Sequence, residues 1–150
     1  MTTIGTQLSL SCTTNGSPVS IFRRNDITPE TAFLFVTKKG IIKKTTADNF
    51  AFKNSIISIT IKPDDELVEV IAIDKDIDIV GYTDRGYGLR FNSGEVPFSK
   101  RMAAGVIGLP MIEDDFVVGV QEIHKSDKSL FICTAKGYVK KCSLEVFNTK

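Results

Sequence analysis

Apolar residues along this chain fall in short runs broken by turn-forming residues, a period that belongs to strands and not to helices. Phe33-Leu34-Phe35-Val36 and Leu130-Phe131-Ile132-Cys133 are such runs, rich in aromatic and branched side chains. Each leads into a Thr-x-x-Gly segment and then a second run, Ile41-Ile42 or Tyr138-Val139. Ile77 to Tyr82, turning at Asp84-Arg85-Gly86, is a third copy. A tight turn closed by glycine, which tolerates positive φ, predicts a β-hairpin in each place. Between the hairpins Ile57-Ser58-Ile59-Thr60-Ile61 alternates, Pro63-Asp64-Asp65-Glu66 turns and Leu67-Val68-Glu69-Val70 resumes. Its counterpart runs through Val106-Ile107-Gly108-Leu109, Glu113-Asp114-Asp115 and Phe116 to Val120, and a weaker copy opens the chain at Leu8-Ser9-Leu10, Asn15-Gly16-Ser17 and Val19 to Phe22. These too read as strand pairs joined by turns, because Pro and Asp favour turns.

The hairpins share a signature. It reads Thr37 to Lys44 (TKKGIIKK), Thr83 to Arg90 (TDRGYGLR) and Thr134 to Lys141 (TAKGYVKK). The glycines Gly40, Gly86 and Gly137 are 46 and 51 residues apart, a period that points to propeller blades or a solenoid. The fold class expected is all-β, propeller-like, with repeated four-stranded blades, about three of them in this chain. The divisions expected are a partial blade at 1–31, blades at 32–76 and 77–126, and a partial blade at 127–150, forming a single domain or part of one.

The repeat carries charge as well. The residue before each glycine is basic (Lys39, Arg85, Lys136), and so is the fourth residue after it (Lys44, Arg90, Lys141). With 19 Lys and Arg in 150 residues, three basics in one column arise by chance with a probability of roughly 0.002. The net charge is only +1, so a nucleic-acid surface would have to come from the distribution of charge. Acidic residues gather at Asp64-Asp65-Glu66 and Glu113-Asp114-Asp115, away from the basic signatures.

Composition excludes several classes. No apolar run is long enough to span a bilayer, and Met1 to Gly5 lacks the features of a signal peptide, so no membrane partner and a cytoplasmic location are expected. Cys12, Cys133 and Cys142 form no CxxC pair, which argues against a disulfide framework or a zinc site; Cys133, inside an apolar run, reads as core. His124 stands near a turn without companions at ligand spacing. The acidic clusters read as solvated turn carboxylates and not as calcium ligands, and Gly86-Tyr87-Gly88 is too short for a phosphate loop. No catalytic residue, metal site or cofactor is assigned. The basic columns have two readings: flanking charges that keep strand edges soluble, or a line of cations matched to the phosphates of duplex DNA.

Phe33 to Lys44 (FLFVTKKGIIKK) resembles the blade hairpins of the C-terminal domain of the A subunit of bacterial DNA gyrase and topoisomerase IV. Ser99 to Val120 (SKRMAAGVIGLPMIEDDFVVGV) is similar to that family's stretch from an Arg-x-Ala-x-Gly-Val segment to an Asp-x-Val-Val strand, and Asn54 to Val70 is a looser copy. The resemblance covers nearly all of residues 30 to 150. It implies a β-pinwheel, a propeller-like disc whose basic perimeter bends DNA around itself without sequence preference. The chain would be a non-catalytic, nucleoid-associated part of an ATP-dependent type IIA topoisomerase. Its partners would be duplex DNA, the ATPase subunit, and the rest of the protein to which the domain belongs. The DNA-facing residues implied are Lys39, Lys43, Lys44, Arg85, Arg90, Lys136, Lys140 and Lys141, with Lys38, Lys100 and Arg101 widening the track. No Gln-Arg-Arg-Gly-Gly-Arg-Gly box, the family's marker of gyrase-type wrapping, is present, which tilts the reading toward topoisomerase IV or a partial gyrase domain. The family's disc has about six blades, so about half is supplied here, and an incomplete ring would expose strand edges and favour self-association. The alternative is a propeller-type protein-interaction module that does not bind DNA.

Overall fold

The computed structural model describes residues 17–50 and 56–147. Nine strands follow in chain order: β1 (Ala32–Thr37), β2 (Ile41–Thr46), β3 (Leu67–Ile73), β4 (Asp78–Thr83), β5 (Gly88–Asn92), β6 (Val106–Ile107), β7 (Val117–Ile123), β8 (Ser129–Cys133) and β9 (Val139–Ser143). The only helical pieces among the described residues are single 3-10 turns of three residues. The chain is all-β, with antiparallel pairing between its strands.

The signature builds each hairpin the same way. The threonine hydroxyl accepts from the amide four residues on: Ile41 N to Thr37 Oγ1 at 3.1 Å, Tyr87 N to Thr83 Oγ1 and Tyr138 N to Thr134 Oγ1, both at 3.2 Å. Gly40, Gly86 and Gly137 then take φ of 77°, 83° and 83°, the left-handed region where a side chain is strained. A second anchor comes from the acidic turns. Asp65 Oδ1 accepts from Lys39 N at 2.9 Å, and Asp115 Oδ1 accepts from Arg85 N at 3.2 Å. These carboxylates, expected as solvated, hold the tip of the hairpin that precedes them.

Three sheets result, ordered β3-β1-β2-β6, β5-β4-β7 and β8-β9. Only the first has four strands, and its fourth comes from far along the chain. β6 lies in sequence between two strands of the second sheet, yet it pairs with β2 through Ile41↔Ile107 and Ile42↔Val106. Beyond it Gly108 N and Leu109 N both donate to Gly40 O at 3.1 Å. The strand expected at 57–61 is absent, and residues 17–23 form none either. The counterpart of β6 in the preceding repeat is 56–57, and among the described residues no hairpin stands before β1 to receive it. The expected element at Leu8 to Gly16 lies outside the described residues.

Alternation along the strands sets the cores. Leu34, Val36 and Ile42 point from the first sheet into a cluster with Ile71, Ile79, Phe91, Leu109 and Val117. The other face of the second sheet sends Val80 and Ile123 against Leu144, with Leu130 and Phe147 packed around them. Each hairpin is thus buried by the unit after it. Cys133, expected in the core, is exposed, because it points away from the second sheet onto a face that no described residue covers.

Gly40 and Gly86 separate two costs of adding a side chain. A Cβ at Gly40 would fall on the Leu109 carbonyl oxygen, whereas at Gly86 it would meet nothing within 4 Å. Gly86→Ala should therefore cost about 1 kcal/mol from φ alone, and Gly40→Ala at least about 2 kcal/mol more, as read from urea unfolding midpoints. Equal losses would mean that the β6 crossover contributes little.

Candidate nucleic-acid interface

The two basic columns have different fates. Lys39, Arg85 and Lys136, at the tips of the three hairpins, are all exposed. Their backbone conformation is fixed by the threonine and glycine of the turn, and for Lys39 and Arg85 also by the aspartate of the next strand pair. Lys39 Nζ pairs with the exposed Asp64, and that hydrogen bond draws the Asp64 carboxyl below its usual range. Lys136 makes no ion pair among the described residues. Beside them, half-buried Lys38 lies 3.6 Å from Glu66 and 4.9 Å from the centre of the Phe116 ring. Lys100, Lys140 and Lys141 are exposed.

The second column turns inward where a following unit exists. Lys44 is 2% exposed. It shares a face with Ile42, two residues earlier, so alternation sends it into the first core. There Nζ donates to Ser93 O at 2.7 Å, lies 3.4 Å from Asp76 Oδ1 and sits 4.4 Å from the centre of the Phe98 ring. A charge taken out of water needs such partners. Arg90 is half-buried, donating Nη2 to Asp78 Oδ2 at 2.5 Å and Nε to the same oxygen at 3.1 Å. The Asn92 amide and then the Arg90 guanidinium hold the Asp78 carboxyl below the usual carboxylate range. Lys141 occupies Lys44's position in the third hairpin and is exposed, with no described residues lying over it as the second unit lies over Lys44.

Lys43 also faces inward. Lys43 is 1% exposed, and Nζ donates to the carbonyls of Ser58, at 2.5 Å, and Arg101. Burial, and then the nearby Arg101 charge, push its pKa down from 10.5 to about 8. Arg101 Nη1 donates to Ile57 O at 2.5 Å. Lys43, Lys44 and Arg90 therefore spend their charge on the protein, Arg101 is half-buried, and Lys39, Arg85, Lys100, Lys136, Lys140 and Lys141 face water. The inward turn of Lys44 was readable from its spacing to Ile42. The anchoring roles of Asp65 and Asp115 were signalled by their recurrence fifty residues apart, two residues before a strand.

A family model described as DNA gyrase C-terminal domain, beta-propeller, matches residues 32–74, 82–123 and 128–150. The chain is 36% identical over 122 residues to the A subunit of DNA topoisomerase 4 from Bacillus subtilis (strain 168), a match that takes in 79% of this chain and 15% of the relative. Among solved structures, the C-terminal domain of DNA topoisomerase IV has a TM-score of 0.77 at 36% identity, covering 84% of this chain and 40% of that chain. The C-terminal domain of DNA gyrase A has a TM-score of 0.74 at 26% identity, covering 83% of this chain and 41% of that chain.

Two outcomes follow from the inward lysines. Lys44→Ala should lower stability by about 2–3 kcal/mol through removal of the charge-assisted hydrogen bond and buried stem, whereas Lys140→Ala should stay within about 0.5 kcal/mol of the parent in urea titrations. Lys43 gives a pH signature. Its folded pKa is about 8 against 10.5 unfolded, so between those values the unfolded state binds more protons and stability rises with pH. Measured against Lys43→Met, the parent should gain stability from about pH 8 upward; a flat difference would show that the amine is not desolvated.

Proposed function

The chain belongs to the family of DNA gyrase C-terminal β-propeller domains, and on that premise we propose that it is an accessory, non-catalytic part of the A subunit of a type IIA topoisomerase, one that holds duplex DNA by its phosphates. It spans about 15% of the length of the curated relatives it matches, so strand passage and the ATPase partner belong to the reading of the whole enzyme and not to these residues. The observation that carries the proposal is the first basic column. Lys39, Arg85 and Lys136 recur at one place in three hairpins and stay exposed at each.

Fixed backbone at those tips means that their ordering entropy is largely met before DNA arrives. Lys38, Lys100 and Lys140 extend the surface. Phosphates, carrying no sequence information, suit a row of cations repeated by the fold. Bending would follow from the row not being straight, with phosphate contacts offsetting the elastic cost. Lys43, Lys44 and Arg90 are excluded from the track by their partners, half-buried Arg101 stays at its margin, and a test that includes Lys44 would read folding in place of binding.

The measurement is the affinity for a duplex of about 40 base pairs by fluorescence anisotropy, from about 50 to 200 mM salt. Affinity should fall steeply with salt and be equal for unrelated sequences. The triple variant Lys39→Ala, Arg85→Ala, Lys136→Ala should keep its circular dichroism spectrum and reduce the log–log salt slope by about 0.9 for each phosphate no longer neutralised. An unchanged slope would defeat the track. Absence of binding at low salt would move the function to protein contacts.

A further inference from the structure

The bond pattern of the turns puts the three hairpins in register. Counting from Thr37 and Thr134, the residues Leu34, Val36, Ile42 and Lys44 correspond to Phe131, Cys133, Val139 and Lys141. In the first hairpin these four are between 0% and 2% exposed, sealed by the second unit. In the third, Phe131 is 70% and Val139 62% exposed, and Cys133 and Lys141 are exposed too. No described strand pairs with the outer edge of β8 or of β9. A face made of core residues is therefore covered by none of the described residues.

The other end of the chain carries the complement. Ser20 Oγ accepts from Val70 N at 3.0 Å, as the Glu69 carboxylate accepts from Val120 N at 3.0 Å. Residues 17–22 thus stand beside β3 as β3 stands beside β7. Fifty residues before Val106 to Leu109 lie Ile56 to Ile59, with Ile59 buried like Leu109 and Ile57 60% exposed. Both segments hold the places of strands flanking a hairpin that the described chain does not contain there. Next to them Phe22, Phe33, Phe35, Phe50, Ile56 and Val70 line an open cavity of about 400 Å³.

We propose that the uncovered face of β8–β9 docks head-to-tail onto this first-sheet face of a second copy of the chain, reproducing the contact between the first and second hairpins. The internal contact specifies the external one. Gly40 O accepts from Gly108 N and Leu109 N, so Gly137 O would accept from Ser58 N and Ile59 N of the second copy. Lys44 is held by Ser93 O and Asp76. Ala47 N donates to Thr31 O as Ser93 N donates to Ile77 O, which makes Ala47 the counterpart of Ser93 and Glu30 that of Asp76. Lys141 would therefore meet Ala47 O and the exposed carboxylate of Glu30. Such an interface is heterologous, and two copies related by a two-fold axis close it with no face left over.

The docking does not depend on DNA binding and is tested without DNA. Sedimentation of the 150-residue chain from about 1 to 100 μM should show its mass doubling with concentration. Hydrogen exchange at the β8 and β9 amides should slow in step. Val139→Asp, at an exposed site, should keep the circular dichroism spectrum and abolish the dimer. Lys141→Glu should do the same, and adding Glu30→Lys to that chain should restore the dimer with reversed polarity. A monomer throughout, or a dimer indifferent to Val139→Asp, would overturn the proposal. So would a monomer with β8–β9 amides already protected, which would assign the cover to the chain's own residues 1–16.

Discussion

A two-stranded hairpin has two open edges and two faces, and in water it cannot satisfy either alone. That constraint organises this molecule. β1 and β2 gain an inner neighbour from β3 and an outer one from β6, and the face carrying Leu34, Val36 and Ile42 is closed by the second unit. The second hairpin repeats it in part, with β7 as inner neighbour and Leu144 against its face, while no described strand pairs with the outer edge of β5. Stability is therefore shared between neighbours and not owned by any blade, as in other repeat architectures.

Charge enters the interior under the same constraint. The position two residues past Ile42 must face the next unit, and lysine there is accommodated because the turn at Ser93 offers a carbonyl and Asp76 a carboxylate. The long apolar stem packs in the core while the ammonium reaches those acceptors at its margin. A basic column can thus serve cohesion between blades, while the neighbouring column at the hairpin tips stays available to solvent. Basic residues five apart in one signature do different work because β-strand alternation and the turn separate them.

Much of the fold was legible. Threonine, glycine and the flanking apolar runs marked the three hairpins, since their turn chemistry is local and repeats. The inner strands were legible through alternation from Leu67 and Phe116. What was not legible depends on partners distant in sequence. The run at 57–61 alternates as well as any strand, but pairing needs a neighbour, and β6 finds β2 while 57–61 finds none among the described residues. Cys133 sits in an apolar run and reads as core, yet no described residue covers its face. For the site, the tips were identifiable from spacing and the inward turn of Lys44 from its distance to Ile42, whereas the burial of Lys43, on the opposite face of β2, depends on Ser58 and Arg101, which are distant in sequence.

The crossover of β6 also bears on how the molecule is made. A chain emerging from the ribosome N-terminus first completes β1, β2 and β3 while the outer edge of β2 and the apolar side chains of Leu34 and Ile42 still lack their cover. Val106, Ile107 and Leu109 arrive only after the second hairpin has been synthesised. The nascent first sheet must therefore wait, edge exposed, for a segment that has to pass the second hairpin to reach it. Long-range closure of this kind is slow and leaves the intermediate open to mispairing. The folding of the first repeat is thus tied to the synthesis of the second.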